Sequence, residues 1–283
     1  MTPHSILQHA HTAVMIDFET HLPDPRLRPF VKMYFWGRDA NPPLAQRVVP
    51  NGEMGLMFYR NDNASLDGVQ HMRSCIKGQS MRYHDIVARH CIEIVGAHFT
   101  VLGARLFFHA PLSEFFEQVV ELDNLGDWDL RVLEHQVMDA ADHHACWHAI
   151  ESFFLRRLHN SNADALKFSR TWQAVTYASQ HAASAHVTHM AAESCLSTRQ
   201  LNRTFSDLIG LSPKDFIRLQ RYQHALLDLK INRFSTTLAE IAWRNGYYDY
   251  SHMSSDFRKI TGFSPTAILS VSKNDGDTVG WRI

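Results

Sequence analysis

The chain has 283 residues, 45% apolar and 20% charged, with a net charge of −1. That length accommodates about two domains, and the composition is that of a globular protein with buried cores, which excludes disordered and fibrous classes. No run of about eighteen apolar residues is present to span a bilayer, so no membrane partner is expected.

At the N-terminus, "MTPHSILQHAHTAVMIDFE" lacks the basic start and apolar stretch of a secretion signal. The four cysteines, Cys75, Cys91, Cys146 and Cys195, show no CxxC spacing. Free thiols and a cytoplasmic location are expected. Residues 46–60, "QRVVPNGEMGLMFYR", offer a Pro-Asn-Gly turn and then alternation through Met54, Leu56 and Phe58, as in a half-buried strand. Residues 90–103, "HCIEIVGAHFTVLG", form a second β-like run. From about Pro111 the pattern turns helical, through "PLSEFFEQVVEL", "DLRVLEHQVMDA" and "HHACWHAIESFFLRRLH". The polar stretch "HNSNAD" (159–164) supplies turn chemistry and a helix cap, which marks a boundary.

Everything from Asp164 to Ser270 reads as helix. "ADALKFSRTWQAVTYASQHA" carries an apolar stripe at Leu166, Trp172 and Val175, and "HVTHMAAESC" is a short helix. "STRQLNRTFSDLIG" is capped by Ser197 and closed by Gly210. "SPKDFIRLQRYQHALLDLKI" places Pro213 at the first helical position, where its missing N–H costs nothing. The helix ending then recurs: Phe205, Gly210, Ser212 and Pro213 return as Phe257, Gly262, Ser264 and Pro265. The predicted class is α+β. A β-rich, then helical domain spans 1–158 and a linker 159–163. An all-α domain over 164–270 holds two helix-turn-helix units joined by a long helix, and a patternless tail follows over 271–283.

Leu201, Phe205 and Leu208 make a core stripe in the first unit, which turns Thr198, Arg199, Asn202, Arg203 and Ser206 outward. In the second, Met253, Phe257 and Ile260 make the stripe, leaving Tyr250, Ser251, Ser254, Ser255 and Arg258 outward. Forked donors and amides on the second helix of such a unit suit guanine and adenine edges in the major groove. Charge agrees. Residues 164–270 hold 12 Lys and Arg against 8 Asp and Glu, while 1–163 hold 14 against 19. Two such helices about 34 Å apart would enter successive major-groove segments on one face of a duplex. Double-stranded promoter DNA is the expected partner.

Residues 164–270 resemble the DNA-binding domain of AraC/XylS-family transcription regulators. The resemblance rests on "MAAESCLSTRQLNRTFSDLIGLSPKDF", "RYQHAL" and "LAEIAWRNGYYDYSHMSSDFRKITGFSP". It implies contacts to bases or backbone from Arg199, Asn202 and Arg203, and from Tyr250, Ser251, Ser254 and Ser255. It also implies an activator that meets RNA polymerase. Cys195 stands where the first turn usually has glycine, which predicts a strained or differently shaped turn, and Asp256 is an acidic residue near expected phosphate. Residues 26–158 resemble the uncharacterised N-terminal module of one AraC-type subgroup, through "RLRPFVKMYFW", "VVPNGEMGLMF", "IVGAHFTVLGARLFFHAPLSEF" and "ESFFLRRL". In the family such modules sense a small-molecule effector or pair two chains into a homodimer. Tyr34 and Trp36, behind the Pro50-Asn51-Gly52 turn, belong either to an effector pocket or to a plain core.

Other classes have weaker support. No GxSxG, phosphate loop or HExxH pattern is present, so an enzyme is not expected. In "DHHACWHAI", His144 and His148 stand at i, i+4, but no third ligand has metal spacing. No cofactor or metal is expected. A cysteine- or metal-dependent sensor or enzyme fused to a DNA-binding domain, and a helical protein-binding scaffold, remain the alternatives.

Overall fold

The computed structural model describes residues 17–39, 44–61, 64–66, 69–70, 73–88, 91–161, 164–232, 235–271 and 280–282. Its strands are β1 Asp17–His21, β2 Val31–Asp39, β3 Leu44–Val48, β4 Gly55–Tyr59, β5 Ala64–Leu66, β6 Val69–Gln70, β7 Ser74–Lys77, β8 His84–Ala88, β9 Ile92–Phe99, β10 Val119–Glu121 and β11 Gly280–Arg282. They build two sheets, in the orders β1-β2-β9-β4-β7-β10 and β11-β3-β8-β5-β6.

Period-two alternation sorts the larger sheet into two faces. Tyr34, Leu56, Phe58, Ile76, Val95, Ala97 and Phe99 point to one core, and Phe35, Met57, Tyr59, Cys75 and Ile92 to another. β4 lies between β9 and β7 and is buried at all five positions, so it is a central strand where the alternation predicted a half-buried one.

The stretch after Pro111 departs from its helical expectation. It forms a 3₁₀ turn at Leu112–Phe115, then β10, then a second 3₁₀ turn at Leu122–Leu125. Glu117 has φ 53°, which stops a helix, and its N–H donates to Gln79 O at 2.7 Å. The β-branched Val119 and Val120 then pair with Lys77 and Ile76 on β7. Helices follow: α1 Trp128–Met138, capped by Asp127, and α2 His143–His159, capped by Asp142. Their apolar faces, including Leu130, Leu133, Ile150 and Phe154, cover the sheet.

The C-terminal part holds α3 Ala165–Gln180, α4 Val187–Glu193, α5 Thr198–Leu208, α6 Pro213–Asn232, α7 Leu238–Arg244, α8 Tyr250–Thr261 and α9 Pro265–Val271. The α3 stripe differs from expectation. Leu166 and Trp172 are 61% and 53% exposed, and the buried line is Thr171, Ala174, Val175 and Ala178. Those residues are spaced i, i+3, i+4, i+7, so the helical period holds while the buried face is rotated and small, suited to close helix approach. The repeated endings fold alike. Gly210 and Gly262 take φ 85° and 79°, and Ser212 and Ser264 accept from Asp215 N and Ala267 N at 3.1 and 3.2 Å.

The two parts are packed together. Leu102 joins the helical core, and Phe30 meets Phe168 edge-on at 6.0 Å. The Pro50-Asn51-Gly52 turn lies on α6, where a Cβ on Gly52 (φ 76°) would touch Leu219 at 3.4 Å. Tyr34 is fully buried and stacks on Phe154 at 6.5 Å, so it is core and no pocket wall. Within the tail, β11 pairs antiparallel with β3, a pattern its sequence did not announce.

Candidate nucleic-acid interface

Each unit is built from one short helix, one tight turn and one reading helix: α4 with α5, and α7 with α8. The turns share one hydrogen-bonded shape. Cys195 N donates to Ala192 O and Leu196 N to Ala191 O, at 3.0 and 2.9 Å; Gly246 N donates to Trp243 O and Tyr247 N to Ala242 O, both at 3.0 Å. Cys195 therefore sits in the left-handed region, φ 52°, where the second unit has Gly246 at 76°. A side chain there costs about 1–2 kcal/mol. The expected strain is a backbone conformation, and the turn keeps its shape.

The caps set the entry of each reading helix. Ser197 Oγ accepts from Gln200 N at 3.2 Å while the Gln200 side chain accepts from Ser197 N at 2.9 Å, a reciprocal box. Asp249 caps α8 by accepting from His252 N at 2.7 Å. On α5, Leu201, Phe205 and Leu208 are buried. Thr198, Arg199, Asn202 and Arg203 are exposed and Ser206 is half-buried, so the structure brings all five to one side. Asn202 Nδ2 donates to Thr198 O at 2.8 Å, which holds that amide against the helix.

On α8 the expected face is only partly present. Ser251, Ser255 and Arg258 are exposed, and Tyr250 is half-buried against the helical core. Ser254 is the correction: it is buried, 3% exposed, and its Oγ has no partner among the described residues. Ser254, Phe257 and Thr261 follow i, i+3, i+7, so the buried arc is wider than the Met253-Phe257-Ile260 stripe. Packing of α8 against both α6 and α7 requires that width. Asp256, read from sequence as an acid facing phosphate, is also buried, and it accepts from Arg218 of α6 at 2.7 and 3.0 Å.

Several positioning residues were hidden from sequence reading because their partners lie far along the chain. Asp207, on α5, accepts from Arg105 Nε at 3.0 Å and from Lys167 Nζ at 2.5 Å. Burial pushes the Asp207 carboxyl up, but those two cationic donors outweigh it and hold the group below the usual carboxylate range. Arg47, on β3, forks onto Asp85 with both distances 2.8 Å. Its guanidinium lies 3.6 Å from the Tyr83 ring centre and 5.0 Å from that of Phe263, and it donates to Thr261 O at 3.4 Å. The front part thus touches the C-terminal end of both reading helices. Beside Asp207 opens a cleft of about 610 Å³, lined by Arg105, Arg156, Arg157 and Lys167 among others.

Acidic side chains of the helical part are largely engaged in caps and inward pairs: Asp164, Asp249 and Glu240 at helix starts, Asp207 and Asp256 in ion pairs. Arg199, Arg203 and Arg258 are exposed and make no ion pair among the described residues.

Two family models match the chain, a helix-turn-helix domain over residues 190–270 and a domain of unknown function, DUF6597, over 19–121. Among solved structures, the chain is similar to a probable AraC family transcriptional regulator from Rhodopseudomonas palustris, at 24% identity over 36% of this chain and 95% of that one, with a TM-score of 0.33. It is similar to ToxT from Vibrio cholerae, at 12% identity over 89% and 98%, TM-score 0.46. It is also similar to the DNA-binding domain of AdpA, solved in complex with a target DNA, at 25% identity over 38% and 98%, TM-score 0.34. No curated protein matches the chain.

A β-rich front part followed by a helical domain with two helix-turn-helix units defines a DNA-binding transcription regulator. Its helical part carries the helix-turn-helix domain matched over residues 190–270, with a DUF6597-type region ahead of it.

Proposed function

We propose that the protein holds promoter DNA with α5 and α8 in successive major-groove segments, and that its front part controls that grip. The observation that carries the first half is the pair of like helix-turn-helix units that flank α6 along the chain. This helix has 20 residues and is about 30 Å long by helical rise, close to one duplex turn. Arg199, Asn202 and Arg203, with Thr198 and Ser206 flanking, are the proposed contacts of the first unit. Tyr250, Ser251, Ser255 and Arg258 are those of the second, and Ser254 leaves the set. The division at 159–163 separates the part that binds DNA from the part that regulates binding.

Control by the front part is supported by its contacts with both reading helices, Arg105 to Asp207 and Arg47 to Thr261 O. A small-molecule effector in the cleft beside Asp207, whose lining mixes Arg105, Arg156, Arg157 and Lys167 with Asp129, Asp164 and Asp207, would bear on both parts at once, because Arg105 and Arg156 come from one and Lys167 from the other. Activation, through RNA polymerase, follows from the family resemblance, as does a cytoplasmic site of action. Binding, and no catalysis, is the activity assigned. Among the described residues no helix is long and apolar enough to cross a membrane.

Footprinting of the full-length protein on its own promoter regions tests the reading. Two protected major-groove segments one turn apart are expected, with affinity falling as salt rises. Protection of a single segment, or no preference over random duplex, would remove it. A second expectation is pairing of two chains through residues 1–158, which raises affinity by effective concentration. Sedimentation at micromolar concentration should then find a dimer, and a monomeric full-length protein sinks that part.

A further inference from the structure

The chain has nineteen histidines, and two of them meet a distant carboxylate at the start of α2. Glu19 on β1, with His143 and His144 at the first two positions of α2, bring one ligand atom each to within 4.8 Å of one another. Strand pairing explains the meeting. Register sets Glu19 opposite Trp36, and Trp36 stacks on His143 with ring centres 4.5 Å apart. His143 Nε2 then lies 3.1 Å from a Glu19 carboxylate oxygen. Trp147, one turn further on, closes edge-on against His143 and His144 at 5.0 and 5.1 Å.

An ordinary ion pair accounts for His143 and Glu19. It does not account for His144, whose ring centre is 4.3 Å from that of His143 and whose ring has no hydrogen-bond partner among the described residues, although the Asp142 carboxylate lies near it and accepts from its backbone N–H. One metal ion can take two neighbouring imidazoles as neutral donors. The positive end of α2 is offset by Asp142, whose side chain accepts from Ala145 N at 2.9 Å.

We propose that Glu19, His143 and His144 hold one divalent transition-metal ion of the zinc type. Two imidazole nitrogens and one carboxylate oxygen suit zinc and its neighbours; calcium and magnesium prefer all-oxygen sets. Tetrahedral zinc needs ligand atoms about 3.4 Å apart. Glu19 and His144 are exposed side chains and reach that spacing by rotation, while the stacked His143 stays in place. The fourth position stays open to water. The ion fastens β1, an edge strand exposed at all five positions, to the helix that covers the sheet.

Titration of the metal-free full-length protein with Co²⁺, followed by visible absorption, and with Zn²⁺, followed by calorimetry, tests the site. One equivalent binds, and Zn²⁺ raises the unfolding temperature. His144→Ala and Glu19→Gln each weaken binding at least about tenfold, and the double variant loses the thermal shift. His186→Ala and His189→Ala, at a second pair of neighbouring rings 5.8 Å apart, leave both readouts unchanged. Absence of stoichiometric binding overturns the proposal. So does binding that survives the double variant, or binding abolished by the His186 and His189 changes.

Discussion

The two helix-turn-helix units are the same device built with different residues. Both close through equivalent backbone hydrogen bonds, but one turn uses Cys195 and the other Gly246. A Cβ on Gly246 would run into the backbone of Ala183, whereas Cys195 is exposed and its side chain has room. The first unit leans on the front part through Asp207, and the second leans on α6 through Asp256. Their outward faces differ in kind as well. α5 offers two arginines and an amide, and α8 offers serines and one arginine. Both units touch the front part, the first through the Arg105–Asp207 ion pair and the second through the Arg47 donation to Thr261 O, and the second is also tied to the linking helix by Arg218–Asp256.

That contrast can be broken most sharply at the second turn. Gly246→Ala adds left-handed backbone strain of about 1–2 kcal/mol and overpacking of about 1–3 kcal/mol. A destabilisation of about 3 kcal/mol in denaturant unfolding is expected, and a loss below about 1 kcal/mol would mean that the turn is not closed as described.

Next comes the difference in reading. Arg203→Ala should cost about 1–3 kcal/mol in DNA affinity and relax one or two base positions. Ser255→Ala should cost less, and Ser254→Ala should leave affinity unchanged, since that hydroxyl is buried. Binding assays that rank the serines above the arginine reverse the assignment.

Coupling of the first unit to the front part is a smaller effect. Arg105→Ala should lower stability by about 1 kcal/mol, because Lys167 remains on Asp207. Asp207 has a depressed carboxyl, so its contribution is complete above the unfolded value near pH 4 and disappears as pH falls through the folded one. The Arg105→Ala deficit should therefore shrink below about pH 4. A deficit independent of pH in that range would place the loss elsewhere.

The smallest change runs in the other direction. Cys195→Gly relieves left-handed strain but loosens the unfolded chain, for a net gain of about 0.5–1 kcal/mol. Thermal unfolding that shows a loss would mean the cysteine side chain has a role in the turn.

Much of the helical part was legible in the chain itself. Capping residues, glycines after helix ends, Pro at first positions and 3.6-residue stripes are local signals, and the 52-residue repeat showed that one ending was used twice. The faces of α5 followed from its stripe, because a helix with one narrow apolar line has only one way to turn. α8 did not follow so simply: two packing partners widened its buried arc and took Ser254 and Asp256 inward. In the front part the Pro111 stretch carried helix-like spacing, yet the open edge of β7 drew Val119–Glu121 into a strand. Arg105 with Asp207, Arg47 with Thr261, and Glu19 with His143 are separated by 102, 214 and 124 residues. Periodicity and capping act over one or two helical turns, so they position each element. Contacts across such separations depend on how the elements pack, and tertiary structure alone decided them.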